Sequence, residues 1–171
     1  MADLSVRPAL PGDARAIAAV QRAALAADHP ELDAGLLDAL ASEDAISRWE
    51  EAVRRPPSSS HRLLCALEDQ RVVGFAALAP AEDPDVAGLE LLELRVHPAS
   101  SREGHGSRLL AAVVDVLAPQ AVPTLSSWVA VGTALESLLE ATGWSPDGST
   151  RSLDLPGLLL PQRRWATSLI G

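Results

Sequence analysis

The chain has 171 residues, 47% of them apolar and 22% charged, enough for one domain with a sizeable core and too apolar for a disordered segment. A formal charge of −9 at pH 7 argues against general nucleic-acid binding, which needs a basic face, and favours a cationic ligand. The single cysteine, Cys65, excludes an internal disulfide and a multi-cysteine zinc site, and the absence of lysine excludes a GxxxxGK[ST] phosphate loop and Schiff-base chemistry.

In chain order, "LSVRPA" reads as a short first strand, and "LPGDARAIAAVQRAAL" as a helix with Asp13 as N-cap and Ile17, Val20 and Leu25 on or near one face. Residues 30–55 are helical in tendency, in two pieces broken near Ser42, and "RRPPSSS" ends them in a loop. "HRLLCALED" and "RVVGFAALA" bracket a short connection at Asp69 and Gln70, the pattern of a hairpin. "AEDPDVAG" is a polar loop, and "LELLELRVH" a third long strand. A helix follows with Leu109, Leu110, Val113, Val114 and Leu117 at helical spacing, closed by Pro119. "PTLSSWVAV" is a strand, "TALESLLEATG" a helix closed by Gly143, and "STRSLDL" with "QRRWATSL" a last strand pair. The order β, helices, ββ, β, α, β, α, ββ predicts one α/β domain over residues 1–171 on a mixed, mostly antiparallel sheet of six or seven strands with about four helices. Apolar runs stay near ten residues, short of the roughly twenty a membrane span needs, and the first residues lack a secretory layout, so a cytoplasmic protein is expected.

Between the third long strand and the helix lies "VHPASSREGHGSRLL". Strand, turn, glycines and helix make a general anion holder, because the first helical turn offers amides without intrahelical partners and a partial positive charge. Gly104 and Gly106 remove side chains from the approach, Ser107 offers a hydroxyl, and Arg102 and Arg108 add charge. The expected ligand is a phosphate or pyrophosphate. Leu109 stands where a dinucleotide fingerprint needs its third glycine, and His105 where a hydrolase elbow around Ser107 needs its first, so neither of those readings applies.

"ELLELRVHPASSREGHGSRLLAAVV" resembles the acetyl-CoA-binding segment of the GNAT superfamily of N-acyltransferases: a strand ending in V-x-P, a loop of the form [RQ]-x-x-G-x-[GA], then a helix with paired leucines. "VRPALPGDARAIAAVQRAAL", "RVVGFAAL", "SSWVAVGTALESLLEATGWSPDG" and "TRSLDLPGLLLPQRRWATSL" are similar, in order and spacing, to other elements of that fold. The resemblance implies acetyl-CoA in a split between the fourth and fifth strands. Leu94, Arg95 and Val96 would pair by backbone with pantetheine, and Ser101, Arg102, Glu103, Gly104, His105, Gly106 and Ser107 would wrap the pyrophosphate. Three positions depart from the family's pattern. Ser101 replaces arginine or glutamine, Gly132 stands where asparagine is frequent, and Leu139 stands where a tyrosine often protonates the leaving thiolate.

The resemblance implies transfer of an acetyl group from acetyl-CoA to a primary amine, of a small molecule or a peptide N-terminus, by direct attack; the alternative is a non-catalytic module that binds acyl-CoA or a partner protein. Glu93 is the candidate base for the amine, with Glu90 in reserve because a bulge in that strand would exchange them. Trp49, on the second helical piece, is placed near the acceptor. His97 and His105 are expected on the loop surface with no metal ligand set, and Cys65, Trp128, Trp144 and Trp165 in packing roles. No metal, nucleic acid or membrane is expected as a partner, and a homodimer is allowed.

Overall fold

A computed structural model of the chain describes residues 1–170. Seven strands form one sheet in the order β1-β2-β3-β4-β5-β7-β6. The strands are β1 (Leu4–Pro8), β2 (Arg62–Glu68), β3 (Arg71–Pro80), β4 (Leu89–Val96), β5 (Thr124–Ala130), β6 (Ser145–Leu155) and β7 (Leu158–Ser168). Every neighbouring pair is antiparallel except β4 and β5, which run parallel. The helices are α1 (Ala14–Asp28), α2 (Ala34–Leu40), α3 (Glu43–Arg54), α4 (His105–Leu117) and α5 (Ala134–Ala141). The α/β fold expected from the sequence is therefore present, with five helices among the described residues because the two pieces of residues 30–55 are separate elements. Ser42 accounts for that break: its hydroxyl accepts the Ala45 amide at 3.2 Å as the N-cap of α3. Among the described residues no helix is long and apolar enough to cross a membrane.

Two cores sandwich the sheet. On one face α4 and α5 bury Leu109, Val113 and Leu139 against Leu91 and Leu125, all fully buried. On the other, α1 lays Ile17 and Val20 over Cys65 and Phe75. Full burial of each such aliphatic side chain is worth about 1.5–3 kcal/mol, so these two stripes decide which face each helix covers. The hairpin turn falls at Asp69 and Gln70 as expected, both left-handed at φ 47° and 67°, as a two-residue turn matched to strand twist requires.

Two expectations are corrected here. Asp13 does not cap α1 with its side chain; its carboxylate instead accepts the Leu10 amide at 2.7 Å and the two terminal guanidinium nitrogens of Arg7 at 2.7 and 3.1 Å. The Arg7 bonds hold the Asp13 carboxyl below its usual range. Trp49 is a packing residue: its ring meets Phe75 edge-on, centroids 5.3 Å apart, and it is not among the residues that line the cleft between β4 and β5. The apolar face of α3 turns toward α1 and the sheet, which carries Trp49 away from the cleft described below.

Candidate active site

β4 and β5 begin in contact and then part. Their ladder holds only Leu89 to Leu125 and Glu90 to Ser126. Three local features explain the divergence. Gly88, at φ 131°, lets the strands touch at their start, where any Cβ would collide with the Thr124 carbonyl. One step past the last pair the buried Ser127 hydroxyl donates to the Leu91 carbonyl at 2.7 Å, so a side chain takes up that acceptor where the ladder stops. Beyond it β4 carries one extra residue relative to β3, since Ala77 faces Glu93 while Leu78 faces Leu91. That bulge falls at Leu92, half exposed, and resets the alternation so that Leu89 and Leu91, then Leu94, point to the core. From Leu92 to Val96 the β5 side of β4 has no strand partner, and an edge of that kind can pair with an extended ligand.

A cavity of about 540 Å³ occupies the gap. Its floor is β4 and β5, its walls the end of α1, the loop before α4 and the face of α5 bearing Leu135 and Leu138. At the loop, Arg102 and Gly104 are left-handed at φ 63° and 82°, which turns successive amides toward one concavity. The first backbone bond spanning the start of α4 runs from the Arg108 amide to the Gly104 carbonyl at 3.0 Å. The preceding amides of His105, Gly106 and Ser107 meet no acceptor, and no side chain caps the helix. They form an open anion cradle at the positive end of the helix.

All of the predicted cofactor residues except Glu103 line this cavity, and so does Glu93. Glu90 does not. It sits behind the closed part of the strand pair in a separate cavity with Ser126, Arg151 and Arg164, where burial pushes its carboxyl above the usual range. Glu93 faces the cleft from the sheet's α1 side, held as an acceptor by Gln21 Nε2 at 2.7 Å and Arg95 Nε at 3.2 Å. Arg95 also approaches Asp28 at 3.7 Å. The mouth is thus lined by two carboxylates and one guanidinium, a setting that can attract and orient an ammonium group.

Other placements depart from expectation. Gly106 also has a packing role: a Cβ there would stand 3.1 Å from Leu138 and 3.8 Å from Leu94, so this glycine lets α4 and α5 approach. Leu139 is wholly buried, and Leu135 and Leu138 present the cleft face of α5, with no proton donor. Trp128 is more than packing. It lines both the cleft and the separate cavity behind it, where Arg151 stands 4.4 Å and Arg164 5.4 Å from its ring centroid. His29, buried beside the cleft, also escaped sequence reasoning, because nothing local distinguishes it. His105 is buried rather than on the surface, and the fold brings Glu68 and Glu103 to it.

Comparison with known proteins places this geometry. The sequence model of the family described as "Acetyltransferase (GNAT) family" matches residues 25–139. A mycothiol acetyltransferase of Kineococcus radiotolerans is 35% identical over 104 residues, 61% of this chain and 32% of that protein. Another, from Mycolicibacterium smegmatis, is 36% identical over 75 residues, 43% of this chain and 24% of that protein. The matched segment thus spans about a third or less of these relatives. Among solved structures, a ribosomal-protein-alanine N-acetyltransferase of Brucella melitensis superposes with TM-score 0.77 at 21% identity, covering 96% of this chain and 99% of that one. The PaiA N-acetyltransferase of Thermoplasma acidophilum, solved with coenzyme A, gives 0.71 at 16% identity, covering 97% and 99%.

Proposed function

The chain belongs to the GNAT acetyltransferase family, and from that premise we propose that it moves an acetyl group from acetyl-CoA to a primary amine of a small molecule or a peptide N-terminus. The observation that carries this reading is the unpartnered β4 edge ending in uncapped α4 amides, one continuous path along a cavity of about 540 Å³. Pantetheine amides pair with the free edge at Leu94, Arg95 and Val96, and the pyrophosphate lies on the loop, met by the amides of residues 104–107 and the Arg102 guanidinium. Ser101 adds one hydroxyl where a guanidinium or amide would have added more.

Glu93 then receives the amine. An alkyl ammonium has a pKa of about 10, so its nitrogen is nucleophilic only after losing a proton. The carboxylate takes that proton first, and the lone pair this frees attacks the thioester carbonyl. A β4 amide near Val96 holds the resulting oxyanion. When the tetrahedral centre collapses, the C–S bond breaks, its electron pair leaves on sulfur, and the extra proton on the attacking nitrogen passes through water to that thiolate or to solvent, which leaves a neutral amide. A thiol of pKa about 8.5 is a tolerable leaving group without help, and general acid catalysis is worth about 10²–10⁴-fold, so the lack of a donor on α5 slows the step without closing it.

That same apolar face of α5 favours a second reading, a module that binds acyl-CoA without turnover. Purified protein mixed with acetyl-CoA and a panel of amines, read by released thiol, separates the two. Amine-dependent thiol release supports the enzyme. A melting-temperature rise with acetyl-CoA but no release supports the module. No rise at millimolar acetyl-CoA removes both.

A further inference from the structure

Beneath the loop lies a cluster of side chains to which the proposed transfer assigns no chemical step, although His105 also lines the cleft and lends its backbone amide to the cradle. His105, first residue of α4, is 1% exposed, and neither ring nitrogen has a hydrogen-bond partner. Its Nε2 points at the Glu103 carboxylate 3.6 Å away, too far for a hydrogen bond. Glu68, at the end of β2, completes the group, and one ligand atom from each residue lies within 4.8 Å of the other two. A buried imidazole close to two carboxylates and bonded to neither is an unfinished arrangement, because buried polar groups are otherwise satisfied.

We propose that Glu68, Glu103 and His105 bind a first-row divalent cation of the Zn²⁺ class. Imidazole with two carboxylates is a donor set for zinc and its neighbours rather than for calcium or magnesium, which take oxygen ligands. Donors about 2.0–2.2 Å from zinc stand some 3.3–3.6 Å from one another around a tetrahedral ion, close to the separation already present between His105 and Glu103. Two carboxylates balance the ion's charge, and the coordination bonds must offset the partial positive charge of the helix start. The Ser100 hydroxyl donates to Glu68 Oε2 at 3.2 Å and orients that ligand. The Arg71 guanidinium stands 3.8 Å from the same oxygen on a mostly exposed side chain, free to swing outward. Glu103 is exposed, so the fourth position opens to solvent. The ion would tie the end of β2 to the loop ahead of α4, a link the two segments otherwise make through Ser100.

The test is calorimetric titration of the full chain with ZnCl₂ after chelator treatment, with no acetyl-CoA present, followed by thermal unfolding. One equivalent should bind, and at a hundredfold excess over Kd the melting temperature should rise by about 5–10 °C. His105→Ala should abolish binding. Because that residue is buried, Glu68→Gln and Glu103→Gln are the cleaner variants, and each should weaken Kd at least tenfold while the metal-free melting temperature holds. No saturable heat in the wild type would overturn the proposal. So would one-equivalent binding that survives both glutamine variants, which would assign the ion to His29, His61 or His97 instead.

Discussion

Gly106 offers the sharpest test of how the cleft is kept open. An alanine Cβ would stand 3.1 Å from the tip of Leu138, against an optimum of about 3.5–4.0 Å between carbons, so Leu138 must retreat by about 0.5 Å. Valine reaches about 1.5 Å further, so the retreat grows to about 2 Å. Leu138 lines the cavity, and open space is the direction in which it can yield. Gly106→Ala should therefore be nearly neutral in stability, since alanine is favoured over glycine inside a helix by about 0.5–1 kcal/mol, with a few-fold loss in acetyl-CoA affinity. Gly106→Val should destabilise by about 1 kcal/mol, the low end for overpacking, and weaken acetyl-CoA tenfold or more as Leu138 enters the cleft. Titration calorimetry on both variants, with and without Leu138→Ala, measures the coupling. Leu138→Ala should restore binding to Gly106→Val. If affinity stays low in the double variant, the glycine serves the phosphate directly. If Gly106→Val binds like the wild type, the loop is not the cofactor site.

Three further outcomes follow from the same geometry. Glu93→Gln should lower kcat/KM about 10²-fold or more at pH 7 and much less at pH 9, where the neutral fraction of an amine of pKa about 10 is about 100-fold larger; equal losses at both pH values would remove Glu93 as the base, and Glu90→Gln, outside the cleft, should stay near wild-type rates. Gly88→Ala should cost at least about 2 kcal/mol, or about 4–8 °C in melting temperature, because φ 131° and the Thr124 carbonyl both oppose a side chain there; an unchanged melting temperature would mean the β4–β5 contact is not tight. Burial pushes the Cys65 thiol from 9.0 up to about 12, so the folded state favours the protonated form: this contribution is complete below pH 9 and is lost as pH climbs toward 12. Native protein should resist alkylation at pH 8, and Cys65→Ala should flatten the alkaline fall in stability; rapid native labelling would contradict the burial.

Much of the fold was legible because it is written locally. Leucines at helical spacing placed α4, the break at Ser42 separated α2 from α3, and the order of elements led to a mixed sheet. The loop residues were legible for the same reason, as a strand, two glycines and a helix start adjacent in sequence. What stayed hidden depends on contacts between distant segments. Glu68 reaches His105 only through sheet pairing, and Gln21 orients Glu93 only because α1 crosses that face. Asp13 has the composition of a cap, but Arg7 and the Leu10 amide compete for its carboxylate and win. Trp49 and Trp128 look equivalent as letters. One sits on a helix face turned to Phe75 and the other on a strand whose neighbour has moved away, and that alone assigns them opposite roles.

The divergence of β4 from β5 is thus built rather than incidental, and its cause lies in three residues that no functional motif names. A parallel pair would ordinarily continue for the length of β5, each further step adding ladder bonds. Here Gly88 brings the strands together at one end, the Ser127 hydroxyl consumes the Leu91 carbonyl at the next step, and the extra residue Leu92 swings the rest of β4 out of register. The ladder bonds forgone between Leu92 and Val96 are backbone groups left without a strand partner on that side. Buried amides and carbonyls do not stay unpaired without cost, so the free edge is stable only while water or an extended chain of amides occupies it. Pantetheine is such a chain, and a ligand that completes a sheet edge should stabilise the cleft most strongly at the segment where β4 is bare. Hydrogen exchange resolves this by residue. Acetyl-CoA should slow exchange at the amides between Leu92 and Val96 and at residues 104–107, and leave β1 and β2 unchanged. Protection spread evenly over the sheet would mean that the ligand stabilises the fold as a whole and that the opened edge is not its seat.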